Sequence, residues 1–303
     1  MTILETIRRG SDFLAERGVE SPRLQVELLL AHVLKLPRLK LYLQFDRVLT
    51  EAETAILRDL VRRRGQRVPL QHLVGSVSFL GLELAVNGDV LVPRPETETL
   101  AQLAQAKLDT ALAAGSTTSG PVRCLDFGTG SGCLILSLAT HLQSRPTDAA
   151  PSVELHALDR SPAALVVARQ NTSKANSPVP LQFHEGDGFA ALPAGLKFDL
   201  VVSNPPYIPT AEVETLDPEV RDHDPRLALD GGADGLDFYR RLAVEGPTWQ
   251  TADGWMLLEL GDGQAESVSR LFADAGWRIE SVEKDLSDRD RVLIVRRPGT
   301  VPL

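Results

Sequence analysis

The chain has 303 residues, enough for about two domains that each bury a core. At 43% hydrophobic and 24% charged, its composition is that of a globular protein and excludes global disorder. The 32 Lys+Arg against 41 Asp+Glu leave a formal charge of −9, which argues against a protein whose whole surface wraps nucleic acid.

The opening segment, MTILETIRRGSDFLAERG, sets acids among its bases and lacks an unbroken apolar core, so it reads neither as a secretory signal nor as a transit peptide. Ile3, Ile7 and Leu14 fall near one face of a first helix. A second starts at Ser21-Pro22, with serine as N-cap and proline in the first turn, and runs to about Leu36, where Pro37 stops it. Thr50-Glu-Ala-Glu53 reads as a capping box for a third helix over Ala55–Arg64, with Gly65 as its C-cap. Residues 1–70 are therefore expected to form a small all-helical domain with no chemical motif of its own.

From Gln71 the period changes. Val77–Leu80 and Leu82–Val86, separated by Gly81, predict a β-hairpin, and Val90–Glu98 with its two prolines predicts an extended linker, so 71–95 is hairpin and linker. A helix is expected over about Thr97–Ala114, then a flexible surface loop at 114–120. Beyond it, strand-like runs near Val122–Phe127, Val153–Leu158, Leu181–His184, Phe198–Ser203, Trp255–Leu260, Arg278–Glu283 and Arg291–Arg296 alternate with helical segments. That alternation predicts an α/β fold for 96–303, a doubly wound, mostly parallel seven-stranded sheet. The last two runs leave no room for a crossover helix, so the final strand is expected to pair antiparallel. Two cysteines, Cys124 and Cys133, are too few for a disulfide framework or a four-cysteine zinc site and fit a reducing compartment. No stretch reaches 18 apolar residues, so the expectation is a soluble, cytoplasmic protein without a membrane partner.

Chemistry concentrates at the predicted strand ends. Leu125-Asp-Phe-Gly-Thr-Gly-Ser-Gly132 lies where a strand meets a helix, and its glycines let backbone N–H groups approach a ligand. Cys133 occupies the position where the dinucleotide fingerprint needs glycine, and no G-K-[ST] follows to make a phosphate loop. Asp159 ends the next run, where a carboxylate can accept hydrogen bonds from ribose hydroxyls or simply face solvent. Asp187, in Gly186-Asp-Gly-Phe189, reads either as a contact to a nucleobase or as an Asx turn between glycines. The sharpest feature, Val201-Val-Ser-Asn-Pro-Pro-Tyr-Ile208, offers an amide, carbonyl acceptors and an aromatic ring at the sheet edge, suited to a planar NH₂ group. The six histidines show no metal-ligand spacing, no nucleophile elbow occurs, and no metal is expected.

Together these residues resemble an S-adenosylmethionine-dependent methyltransferase with a seven-stranded sheet, of the branch that methylates planar NH₂ groups. The runs Val74–Gly81, Val92-Pro-Arg-Pro-Glu-Thr-Glu98, Asn204–Tyr207, Ala228–Asp237, Leu258-Glu-Leu-Gly261 and Asp285–Arg291 are similar to the peptide-chain-release-factor glutamine N5-methyltransferases, the HemK/PrmC family, over essentially the whole chain. The resemblance implies methyl transfer from S-adenosyl-L-methionine to the glutamine of the Gly-Gly-Gln motif in class I release factors. The alternative is a ribosomal-protein glutamine or a nucleic-acid amino group, since Asn-Pro-Pro-Tyr is shared with nucleic-acid enzymes. It further implies that Gly128, Thr129, Gly130, Ser131, Gly132 and Asp159 bind the cofactor and that Asp187 and Gly188 lie near its adenine. Asn204 would touch both cofactor and substrate, and Pro205, Pro206 and Tyr207 would complete the substrate site.

Two positions depart from the family pattern: Gly188 stands where a bulkier residue is common, and Asp288 where glycine is common. An amide nitrogen is a poor nucleophile, so positioning and electrostatics are expected to dominate. The Asn204 oxygen and the Pro205 carbonyl would accept the two N–H bonds, with Tyr207 packed against the amide plane and no general base required. Residues 1–70 hold 13 Lys+Arg and 9 Asp+Glu, a net +4, against −13 for the remainder. The basic portion, including Arg62-Arg-Arg64, is either a steering surface for an acidic protein partner or a solvated helix face, and stable nucleic-acid binding is not expected.

Overall fold

The computed structural model describes residues 1–114, 120–144, 152–176 and 179–297. Most of the surface loop expected at 114–120 lies outside the described residues. The chain divides into two compact units, Met1–Ser76 with Leu216–His223, and Val77–Thr215 with Asp224–Leu303.

The smaller unit is built from α1 (Ile3–Ala15), α2 (Pro22–Leu34), α3 (Glu51–Gly65) and α4 (Leu70–Val74). Ile3, Ile7 and Leu14 of α1 are buried against Val26, Leu29 and Leu30 of α2 and Leu57 and Leu60 of α3. Thr50 caps α3 through the expected capping box, its hydroxyl accepting from Glu53 N at 3.2 Å while Glu53 accepts from Thr50 N at 2.8 Å. Two cap assignments differ from expectation. Ser21 takes a left-handed backbone (φ 47°) and makes no side-chain cap bond, so Pro22 alone defines that start. Gly65 is the last residue of α3 rather than its cap; a Cβ there would come within 2.6 Å of the Phe13 ring, so glycine is required by the close approach of α1. Of the three consecutive arginines, Arg64 is turned inward, donating to Gln25 at 2.5 Å and to Glu219 at 2.8 Å, so it is not part of a solvated face.

Next comes the hairpin of β1 (Ser76–Phe79) and β2 (Leu82–Ala85), which from Val77 onward belongs to the larger unit. Leu80 and Gly81 both have positive φ, the signature of a tight primed turn. Then follow α5 (Thr97–Ala114), β3 (Val122–Phe127), α6 (Cys133–Gln143), β4 (Val153–Asp159), α7 (Pro162–Ala175), β5 (Leu181–Glu185) and β6 (Phe198–Ser203). After the short helices α8 (Thr210–Val213) and α9 (Pro218–Arg221), the latter within the smaller unit, come α10 (Asp237–Trp249), β7 (Gln250–Glu259), α11 (Ala265–Asp274), β8 (Arg278–Lys284) and β9 (Asp290–Arg296).

The seven strands β3–β9 form one sheet in the order β5-β4-β3-β6-β7-β9-β8. All pairings are parallel except those of β9, which inserts antiparallel between β7 and β8. The sheet is buried on both faces: one set of side chains, including Leu155, Leu200 and Leu257, packs with α5 and α6, and the other, including Leu125, Val201 and Leu258, packs with α10 and α11. The strand order reverses beside β3, so the carboxyl ends of β3, β4 and β6 open on a crevice at the switch point. Asp288, in the β8–β9 turn, has φ 62°, which explains a preference for glycine at this position.

Candidate active site

The crevice is a cavity lined by Gly128, Thr129, Gly130 and Ser131 after β3, Asp159 at the end of β4, Asp187 and Gly188 after β5, and Asn204 and Pro206 after β6. Four loops, separated by up to 78 residues in the chain, are thus brought to one edge because each follows a parallel strand. Gly132, Pro205 and Tyr207 are outside the lining; Gly132 is the N-cap of α6, packed on Ala168.

The glycine loop is held from beneath. Gly128 N and Thr129 N both donate to Leu158 O, at 2.8 and 2.9 Å, and the Thr129 hydroxyl donates to Asp126 Oδ2 at 2.7 Å. Asp126 is fully buried, and burial raises its carboxyl to about 7 despite the Thr129 and Ile135 N hydrogen bonds. Gly128 and Gly130 have φ of 79° and 53°, and a Cβ on either would meet no atom within 4 Å. The loop therefore turns an open, side-chain-free backbone to the cavity. Asp159 accepts from Gly130 N at 2.9 Å and from Ser161 N at 2.8 Å, which orients the carboxylate and leaves each oxygen further acceptor capacity. An open peptide cradle beside an oriented carboxylate fits a nucleoside carrying an amino-acid tail: the loop can approach the tail and Asp159 can accept from ribose hydroxyls.

At the other end, Arg241 from α10 donates to Asp187 Oδ1 and to Asp187 O, both at 2.7 Å. This pairing holds the Asp187 carboxyl below its usual range. The guanidinium occupies the space a side chain at position 188 would need, 2.2 Å from an ideal Cβ. The departure at Gly188 is thus compensated by a neighbour.

The Asn204–Tyr207 segment is fixed by partners remote in sequence. Ile208 N donates to Leu229 O at 3.0 Å, and Gly231 N to Ile208 O at 2.8 Å. A Cβ on Gly231 would stand 2.8 Å from Pro206 O, so the Ala228–Asp237 run serves as a close-packed brace. Gln264 Nε2 donates to Tyr207 O at 2.9 Å. The Tyr207 hydroxyl turns inward, 3.4 Å from Glu259 Oε1, and burial beside that carboxylate raises its pKa. Asn204 Nδ2 donates to Thr97 Oγ1 at 3.3 Å, and Thr97 Oγ1 donates to Glu259 Oε2 at 2.7 Å.

Thr97, Glu259, Asn171, Arg241 and Gln264 are the structurally important residues that motif reading passed over. Glu259 carried a signal, a carboxylate ending the apolar run Trp255–Leu258, and Thr97 sits inside the Pro-Arg-Pro-Glu-Thr-Glu segment. Asn171, 1% exposed, accepts from Ala85 N at 2.7 Å and donates to Ala85 O and Ser131 O, tying the hairpin to the glycine loop. The histidines hold no metal cluster among the described residues: His156 Nδ1 lies 2.9 Å from His184 Nε2, and burial lowers His156 to about 4.

Comparison with known proteins identifies the family. The chain is 41% identical to the release factor glutamine methyltransferase of Geobacter sulfurreducens, over 95% of each chain. It belongs to the release factor glutamine methyltransferase family. The corresponding protein of Deinococcus radiodurans is 40% identical over 99% of this chain and 100% of its own. Residues 5–75 match the PrmC N-terminal domain and residues 119–229 a methyltransferase domain. The methyltransferase of Pyrococcus furiosus, at 17% identity and a TM-score of 0.50, covers 78% of this chain and 98% of its own, and shares the fold. This family member is an enzyme, an S-adenosylmethionine-dependent methyltransferase. Among the described residues no helix is long and apolar enough to cross a membrane.

Proposed function

We propose that this enzyme transfers a methyl group from S-adenosylmethionine to N5 of the glutamine in the Gly-Gly-Gln motif of class I peptide chain release factors. The observation that carries the reading is Asn204 on the cavity wall, its Nδ2 tied to Thr97 and its Oδ1 left as an acceptor beside the cofactor cradle. The names of its relatives, 40–41% identical over nearly the full chain, support the release factor as substrate. We assign residues 1–70 to substrate recognition, 71–95 to the hairpin and linker, and 96–303 to catalysis, with translation termination in the cytoplasm as the setting.

Gly128–Ser131 would hold the amino-acid end of the cofactor, Asp159 its ribose, and Asp187 and Gly188 its adenine end. The bound cofactor supplies a methyl group made electrophilic by a sulfonium. The chain supplies placement. Asn204 Oδ1 and the Pro205 carbonyl accept the two N–H bonds of the substrate amide and hold its nitrogen against the cofactor cradle. Positive charge develops on that nitrogen as it takes the methyl group, both acceptor dipoles stabilise it, and one of its two N–H protons would then leave to solvent, giving the neutral N-methyl amide. Tyr207, with its hydroxyl on Glu259, braces the Pro205–Pro206 turn that presents these acceptors.

The test is incubation with labelled S-adenosylmethionine and, separately, a class I release factor, ribosomes and DNA. Label should enter the release factor and vanish when its motif glutamine is replaced by alanine. Label entering a ribosomal protein or DNA instead overturns the reading.

A further inference from the structure

We propose that Glu259 acts through Thr97 as the positioning residue that turns the Asn204 amide oxygen-first toward the cavity. The inference rests on the reading of Asn204 as an acceptor for the substrate amide. Donor and acceptor counting along the chain of contacts supports it. A threonine hydroxyl has one proton, and Thr97 places it on Glu259 Oε2 at 2.7 Å. The lone pair left toward Asn204 accepts only from Nδ2, at 3.3 Å, so Oδ1 takes the other direction. Among the described residues Oδ1 has no hydrogen-bond partner of its own.

The arrangement depends on the charge of Glu259. Burial (1% exposed) raises its carboxyl to about 7, opposed by the Thr97 hydroxyl. The groups facing it are Glu96 beside α5, which raises it further, Arg291 on β9 and Tyr207, which lower it, Tyr239 of α10, whose hydroxyl donates to Glu259 O at 2.8 Å, and the Cys133 thiol at the start of α6. Ionised, Glu259 accepts the Thr97 proton. When it takes a proton from solvent, it can donate to Thr97 Oγ1. The Thr97 proton then points at Asn204, which satisfies it by turning Oδ1 inward and Nδ2 to the cavity. An NH₂ group facing the substrate NH₂ is a donor against a donor, so methyl transfer is lost as pH falls through the range in which Glu259 titrates.

Thr97→Val keeps the branched volume and removes the hydroxyl. It should lower kcat by ~10–100-fold while leaving the S-adenosylmethionine Kd within about twofold, and Thr97→Ser should restore kcat to within about threefold. The wild-type kcat should fall about tenfold per pH unit on an acid limb that Glu259→Gln, whose amide oxygen still accepts from Thr97, abolishes. In ¹⁵N-asparagine-labelled protein the Asn204 side-chain amide signals should titrate with the same midpoint, and not in Glu259→Gln. That readout needs no substrate. Titrating signals in an enzyme that methylates no release factor sink the functional reading and keep this one. An unresponsive Asn204 in an active enzyme overturns this one, as does a Thr97→Val kcat within about twofold of wild type or a loss that serine does not rescue. Should Glu259→Gln fail to fold, the Thr97 pair and the wild-type titration decide alone.

Discussion

Gly188→Ala tests whether Arg241 replaces the missing side chain at the adenine end. Gly188 has φ 75°, where an L-residue costs about 1 kcal/mol. Its new Cβ would lie 2.2 Å from Arg241 Nη2, the far end of a flexible side chain, so the guanidinium swings away rather than the backbone yielding. Swinging forfeits two hydrogen bonds to Asp187, whose side chain is 63% exposed, and exposed pairs contribute under about 1 kcal/mol. The sum is roughly 1–2 kcal/mol. The larger unit has about 220 residues, and unfolding entropy of about 2.1 cal/mol/K per residue converts that sum to a Tm loss of about 2–5 °C. In an Arg241→Ala background only the backbone cost remains, so the two substitutions should be less than additive. Freeing the Asp187 carbonyl should also weaken S-adenosylmethionine by ~3–10-fold in either single variant, read by calorimetric titration. Additivity within about 0.3 kcal/mol would refute the reasoning, because independent sites share no occupied space.

Asp159→Ala should raise the S-adenosylmethionine Kd by ~10–100-fold, since charge-assisted hydrogen bonds are lost; a Kd within about twofold of wild type removes it from the ribose site. Asn171→Ala strands Ala85 N, Ala85 O and Ser131 O, at about 1 kcal/mol or more each, and should lower Tm by several degrees in a thermal melt, an effect absent if water replaces all three bonds. For Asp126, a folded pKa of about 7 against an ordinary 3.8 means that the folded state binds the extra proton, so its contribution is present at low pH and is lost as pH rises toward 7. Asp126→Asn keeps an acceptor for Thr129 and Ile135 N and should remove on the order of 2 kcal/mol of that decline between pH 5 and 7. Denaturant midpoints at the two pH values with an unchanged difference would count against it.

What the sequence disclosed follows from which contacts are local. The Thr50 capping box spans three residues, and the strand ends of β3 and β6 match expectation because apolar runs and breakers sit side by side. β7 begins at Gln250 rather than Trp255; between the pairs Phe198–Gln250 and Leu200–Trp255 the polar Thr251–Gly254 stretch breaks the register, with Asp253 at φ 64°, and has no apolar side to announce it. The four cavity loops were legible because parallel strands all end at the same edge. The Thr97–Glu259 bond joins residues 162 apart, and Asn171 reaches Ala85 across 86, so only the folded chain brings them together. The Tyr207 hydroxyl turns to Glu259, an acceptor whose position no local pattern specifies.

The charge balance also changes meaning once folded. The smaller unit takes in Leu216–His223, which brings Asp217, Glu219, Arg221 and Asp222 with it. It then holds 14 Lys+Arg against 12 Asp+Glu, a net +2 rather than the +4 of residues 1–70. Arg64 and Arg67 both donate to Glu219, so part of the basic cluster is spent on internal pairing. In the larger unit, Asp126 and Glu259 are buried with pKa values near 7, so part of its formal acidity is neither exposed nor fully ionised. Long-range steering of an acidic partner therefore has a smaller basis than the sequence count implies. Short-range contacts are unaffected by this cancellation: Thr97, from the Pro-Arg-Pro-Glu-Thr-Glu segment, accepts from Asn204 of the Asn-Pro-Pro-Tyr segment at 3.3 Å whatever the net charge of either unit.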